Sequence, residues 1–271
     1  MIKIGTSGYS FADWKGTVYP KTLTTANMLY YYENELGFNT VEINYTYYRQ
    51  PTARSMANMV RNTHKDFQFT VKAYRGMTHE IWDENKKFKD NKGVFDAFLA
   101  GIEPLAVNNK LGCVLAQFPV MFGKNEQNRD YLALFRERMG KLPVVIEFRN
   151  QSWVGDDTYS LLGSRKLGFC IVDEPKLPHL MPLVEEATDD IGYFRFHGRN
   201  PHWFNMPASE RYNYLYNDKE LSEFMPKINK IAAKTKTTFV FFNNCHGGQA
   251  VKNALRLTEL LGIQRQPKSL F

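Results

Sequence analysis

The feature that most constrains this chain is a recurrence. Eight short apolar runs, each turning polar at its carboxyl end, alternate with stretches of helical apolar spacing, about every 24 to 46 residues. The run from Pro143 to Trp153, P-V-V-I-E-F-R-N-Q-S-W, shows it most clearly. Side chains alternate along a strand, so Val145, Glu147 and Arg149 share one face while Val144, Ile146 and Phe148 share the other. A strand that begins apolar on both faces is one covered on both sides, as in parallel sheets flanked by helices. The other runs are Ile2 to Thr6, Asn39 to Asn44, Phe67 to Val71, Leu111 to Phe118, Gly168 to Pro175, Gly192 to Gly198 and Thr238 to Asn244. Helices are predicted near Thr24 to Leu36, from Pro51 to about Thr63, up to Asn108, and over Asn125 to Met139, Asp157 to Lys166, Asp218 to Ala233 and Gln249 to Leu261. This alternation predicts an α/β fold, a single (β/α)8 TIM-like barrel over residues 1–271 with long loops at the carboxyl face, after strands one, three and seven. No G-x-G-x-x-G follows any strand, which argues against a dinucleotide-binding open sheet.

Composition narrows the setting. The opening residues M-I-K-I-G-T-S-G are broken by glycines and do not read as a signal peptide, and no apolar run is long enough to span a membrane. Cys113, Cys170 and Cys245 are odd in number and lack C-x-x-C spacing, so reduced thiols in a cytoplasmic protein are expected. The net charge of +7 is spread along the chain and favours a polyanionic partner only weakly.

Polar residues gather at the strand ends: Glu42 and Asn44, Lys72, Gln117, Glu147 and Arg149, Asp173, Arg195 and His197, Asn243 and Asn244. In a barrel that face carries the active site. Glu42 and Glu147 read as an acid–base pair with Lys72 and Arg149 shifting their pKa values, or equally as Glu–Lys and Glu–Arg pairs that only neutralise one another in a polar barrel end. His197 is a third candidate proton carrier. Nearby carboxylates are expected to raise Lys72, which weakens a Schiff-base role for it. Lys72, Arg149 and Arg195 would hold negative charge, with Asn243 and Asn244 orienting a ligand and Asp173 among its contacts. A divalent metal on Glu42, Glu147, Asp173 and His197 can be drawn, but no histidine lies in H-x-H or H-E-x-x-H spacing, and no cofactor is predicted. All four tryptophans fall in predicted loops, and Trp14, Trp153 and Trp203 suit stacking on a sugar or base. The competing explanation is that long loops build small apolar clusters of their own. Gly247 and Gly248 precede the last helix, where backbone N–H groups and the helix dipole attract phosphate.

The ordered motifs resemble the YecE-like family (domain of unknown function 72). They are G-T-S-G-Y-S-F-A-D-W-K-G-T-V-Y-P from Gly5, E-I-N-Y-T-Y-Y-R-Q-P from Glu42, F-Q-F-T-V-K-A from Phe67, Q-F-P at Gln117, E-F-R-N-Q-S-W at Glu147, Y-F-R-F-H-G at Tyr193 and F-F-N-N-C-H-G-G-Q-A at Phe241. The resemblance implies a TIM-like barrel with these motifs at its carboxyl face and implies no reaction. Tyr9 stands where such sequences often have Trp, and Asn150 where they often have His.

Together these features lead us to expect a phosphate-bearing ligand, nucleic acid (single-stranded or damaged) or a nucleotide, bound at the mouth with Tyr9 among its contacts and open to acid–base processing. A sugar-phosphate isomerase, lyase or aldolase, and a binding protein without catalysis, remain open alternatives.

Overall fold

The computed structural model describes residues 1–178, 180–201 and 207–265. Eight parallel strands form one sheet: β1 (Ile2–Thr6), β2 (Thr40–Ile43), β3 (Gln68–Lys72), β4 (Leu111–Gln117), β5 (Val144–Glu147), β6 (Leu167–Asp173), β7 (Ile191–Phe196) and β8 (Thr237–Phe242). From β2 to β8 each strand hydrogen-bonds its sequence neighbours, and β8 pairs back onto β1. The helices are α1 (Met28–Asn34), α2 (Ala53–Arg61), α3 (Lys92–Val107), α4 (Glu126–Met139), α5 (Asp156–Ser164), the short α6 (Ala208–Arg211), α7 (Asp218–Ala232) and α8 (Gln249–Leu260). This is the TIM-like barrel that the alternation predicts. Among the described residues no helix is long and apolar enough to cross a membrane.

Local chemistry sets the ends of these elements. Thr52 caps α2 by accepting from Ser55 N at 3.2 Å, and Asn125 caps α4 by accepting from Asn128 N at 2.8 Å. Asn217 and Glu220 close a reciprocal capping box on α7. β5 stops at Glu147, short of the expected run to Trp153, because Asn150 caps a 3-10 turn over Gln151–Trp153 by accepting from Ser152 N.

The seam between β1 and β2 is held differently from the other strand pairs. A single bridge joins Ser7 to Glu42, so the barrel is nearly closed rather than fully laddered. The Tyr32 hydroxyl from α1 spans the gap: it accepts from Thr6 N at 2.9 Å and donates to Thr40 O at 3.2 Å, replacing ladder bonds that the seam lacks. Gly5 permits the approach, since a Cβ there would lie 2.4 Å from Thr40 O.

Inside the barrel, Phe239, Phe241 and Tyr193 pack together at centroid distances of 5.4 to 6.1 Å. Gly112 leaves the space that the Phe239 ring fills. The aromatic plug forms the floor beneath a charged layer at the carboxyl ends of the strands, and the open mouth lies above that layer.

Candidate functional site

Alternation along β2, β5 and β7 aims Glu42, Glu147 and Arg195 into the barrel, where they meet. Arg195 Nε and Nη2 donate to the two Glu42 oxygens at 3.0 and 2.8 Å, and Nη1 donates to Glu147 Oε2 at 2.6 Å. The Tyr193 hydroxyl donates to Glu42 Oε2 at 2.6 Å and lies 2.9 Å from Thr70 Oγ1. None of these side chains is more than 1% exposed. A guanidinium fork is suited to bridging two carboxylates in this way. Burial alone would push the Glu147 carboxyl up, but Arg149 and Arg195 outweigh it and hold Glu147 well below the usual carboxylate range. The expected Glu42/Glu147 acid–base pair is therefore corrected. Glu147 is ionised and has no proton to give, and both carboxylates lie beneath the cavity without lining it.

Arg149 extends this layer to the rim. Its Nε sits 2.7 Å from Glu147 Oε1, its Nη1 pairs with Glu174 Oε2, and its Nη2 lies 3.0 Å from His197 Nε2. The Asn243 amide is 3.0 Å from His197 Nδ1. Burial, reinforced by Arg149, holds His197 well below its usual value, so the ring is neutral. With both ring nitrogens engaged and no exposure, His197 orients Arg149 and Asn243 rather than carrying protons. Asp173 is likewise committed elsewhere: Arg199 Nε and Nη2 grip it at 2.9 to 3.1 Å, and the Tyr216 hydroxyl donates to it at 2.6 Å. The drawn metal set does not assemble. Among the described residues, no three His, Cys, Asp or Glu side chains form a group that could hold a metal.

Above this layer opens a cavity of about 490 Å³, lined by Lys72, Arg149, Asn44, Asn243, Gln117 and Tyr47 among others. Lys72 Nζ donates to Gln117 Oε1 at 2.9 Å and sits 4.6 Å from the centre of the Tyr47 ring. Gln117 Nε2 donates to Phe118 O, which fixes its amide with the oxygen toward Lys72. Among the described residues no carboxylate oxygen lies within 4.0 Å of Nζ. Burial, followed by Arg195, lowers Lys72 to about 7, and Glu147 and Glu42 only partly oppose this. The sequence predicts the reverse. The carboxylates are too fully engaged by Arg195 and Arg149 to serve as counter-ions for Lys72. His79, T-stacked on Tyr47, is pushed down to about 4 by burial and by Lys72.

The remaining expected contacts divide. Asn44 and Asn243 line the cavity. Asn244, one residue on, turns away and donates to Tyr214 O and Asn253 Oδ1. Trp14 and Trp153 are fully buried, their indole N–H groups donating to Cys245 O and Phe122 O, each at 2.7 Å. Trp153 stacks on Phe148 at 4.3 Å, so these two tryptophans build clusters under the loops and offer no stacking face. Trp203 lies outside the described residues. Tyr9 packs beside Tyr32 and accepts from Tyr19 at its backbone oxygen, without lining the cavity. Asn150 bonds Val120 O. The aromatic walls come instead from Phe11, Tyr47, Tyr48 and Tyr212. Y-T-Y-Y after β2 was the signal for two of these.

The Gly247 amide does hold an anion, but the anion is the Asp13 carboxylate at 2.8 Å. The expected phosphate seat is filled from within the chain. Gly248 is there for packing: its φ is +81°, and a Cβ would fall 2.4 Å from Val18 Cγ2. Gly248→Ala is expected to cost roughly 1–3 kcal/mol in urea unfolding through strain and overpacking, and a neutral result would refute that account.

Comparison with known proteins gives one consistent answer. The chain is 34% identical over 276 residues to the UPF0759 protein YunF of Bacillus subtilis, covering 97% of this chain and 96% of that one. Its fold matches the crystal structure of a DUF72 family protein from Thermotoga maritima with a TM-score of 0.90 and 45% identity, covering 97% and 99% of the two chains. A DUF72 family protein from Enterococcus faecalis matches with a TM-score of 0.85 and 29% identity over the whole of both chains. A family model described as a protein of unknown function, DUF72, matches residues 3–270, and the chain belongs to that family.

Proposed function

We propose that the mouth of the barrel binds a small phosphate-bearing molecule and that Lys72 exchanges a proton with it. The observation that carries this reading is a lysine lowered to about 7 in the wall of a cavity of about 490 Å³. That volume suits a small ligand, and an amine poised near neutral pH is an effective general base. Among the described residues, Lys72, Arg149 and Arg195 line the cavity against one carboxylate, Asp13, so an anionic group is favoured. Tyr47 and Tyr48 supply ring faces for a sugar or base.

Calorimetric titration with dihydroxyacetone phosphate, ribose 5-phosphate and adenosine monophosphate tests this. Saturable binding of at least one ester, weakened tenfold or more by Lys72→Met, is expected. Binding of none, or binding indifferent to Lys72, would remove the proposal. A second reading, nucleic acid, draws on the +7 charge and on Tyr48, which is 72% exposed at the cavity rim. Anisotropy of a labelled single-stranded oligonucleotide separates the two, because nucleic-acid affinity collapses with salt as counterions are released. Steeply salt-dependent binding that competes with the small ester would favour the polymer.

A further inference from the structure

We propose that Lys72 acts covalently, condensing through its side-chain amine with the carbonyl carbon of a small hydroxy-aldehyde or hydroxy-ketone held in the cavity. The proposal rests on the small-ligand reading above and narrows its substrate class.

The geometry supports a nucleophile. Gln117 Oε1 takes one N–H of Lys72 and can do so whether the amine is neutral or charged. Tyr47 covers another side of the amine. With no carboxylate within 4.0 Å among the described residues, no ion pair has to be broken before attack. The charged groups facing Lys72 come from three strands and the segment after β5: Arg195 on β7 and Arg149 after β5 disfavour the ammonium, while Glu147 on β5 and Glu42 on β2 favour it from beneath. At pH 7 about half of an amine titrating near 7 is unprotonated, against about one in 10³ for an ordinary lysine.

The cavity also specifies the groups flanking the carbonyl. Ser7 and Asn44 line it, and their buried Oγ and Oδ1 atoms lack a hydrogen-bond partner among the described residues. Ser7 is 1% exposed. Asn44 Nδ2 already donates to Ser7 O at 3.3 Å, so its buried oxygen is the atom left with an acceptor role to fill. Unsatisfied buried polar atoms are unfavourable, and ligand hydroxyls would satisfy both. The site thus selects a carbonyl compound bearing hydroxyl groups.

The step balances without a co-reactant. The Nζ lone pair forms a C–N bond as the carbonyl π pair moves to oxygen, and one amine proton passes to that oxygen to give a carbinolamine. Its hydroxyl then leaves as water with the second amine proton, and the C=N bond forms.

The test is reductive trapping at pH 7. The full chain is incubated with D-glyceraldehyde, D-glyceraldehyde 3-phosphate or dihydroxyacetone phosphate plus borohydride, and the adducts are mapped by peptide mass spectrometry. Lys72 is expected to be labelled at least tenfold above exposed Lys92, and Ser7→Ala should reduce that labelling. Labelling that follows exposure, with Lys72 unmarked, overturns the covalent role. Glycerol 3-phosphate, which has no carbonyl, separates the two proposals. If it binds saturably while no carbonyl compound traps Lys72, imine chemistry fails and the proton-transfer site stands. If neither it nor any trapping reagent engages the cavity, both fail.

Discussion

Arg195→Met is expected to be the most destabilising substitution in the barrel. It strips the only cation paired with Glu42 among the described residues, leaving a carboxylate at 0% exposure with the Tyr193 hydroxyl for company. Glu147 fares better, because Arg149 still pairs with it at 2.7 Å. Removing one partner of a buried ion pair typically costs about 3–5 kcal/mol, since the remaining charge keeps its desolvation penalty. At roughly 2–4 °C per kcal/mol for a chain near this size, Tm should fall by about 10 °C. The origin of the loss can be checked within the same experiment. Arg195→Met combined with Glu42→Gln removes the stranded charge and should recover more than half of the drop, whereas Arg195→Met with Glu147→Gln should recover little. A single variant within about 1 kcal/mol of the parent in urea unfolding would mean that the buried layer is not held by this fork.

How much of this was legible in advance depended on the range of the interaction. Period-two alternation depends only on neighbouring residues. It put Glu42, Glu147, Arg195 and His197 at the polar strand ends where the charged layer forms, but both Asn243 and Asn244 were expected to meet a ligand, and only Asn243 lines the cavity. Partnerships across the barrel involve residues more than 100 positions apart, as with Arg195 and Glu42, and nothing local encodes them. The two glutamates could therefore be read equally as an acid–base pair or as ion-pair partners, and only the assembled barrel shows that arginines hold both. The error at Lys72 has the same root, because counting carboxylates near a lysine says nothing about whether arginines have already taken them. The tryptophans misled for another reason. A loop position was equated with exposure, yet a loop over a barrel end needs apolar ballast, and Trp14 and Trp153 provide it with their indole N–H groups satisfied by backbone. At the Gly247-Gly248 pair the expected phosphate seat is taken by the chain's own Asp13, on the Gly247 N–H alone, while the Gly248 N–H donates to Cys245 O.

Lys72→Met should stabilise the protein at pH 6, the opposite of what removal of a hydrogen-bonded side chain usually does. Lys72 titrates near 7 in the folded chain and near 10.4 when unfolded. Between those values the unfolded chain holds a proton that the native state has released, so unfolding takes up a proton and stability rises with pH. Below about pH 7 both states are protonated, and the native state carries an ammonium in a site lined by two guanidinium groups, the full penalty. Three pH units would be worth roughly 4 kcal/mol, and the side chain's partial exposure reduces this to about 2–4 kcal/mol. Methionine avoids the penalty, so its advantage should be largest at pH 6 and shrink steadily toward pH 9.5. Other groups titrate in the same window: the buried Cys113 and Cys170 thiols are pushed up and Lys3 is pushed down. They are common to both proteins and cancel in the difference between the two urea-unfolding curves. Parallel curves from pH 6 to 9.5 would show that Lys72 is an ordinary ammonium and would undercut both roles proposed for it. Curves that converge as pH rises would identify a residue that destabilises the fold at neutral and acidic pH. Such a cost at a position lining the cavity is what selection for activity, rather than for stability, leaves behind.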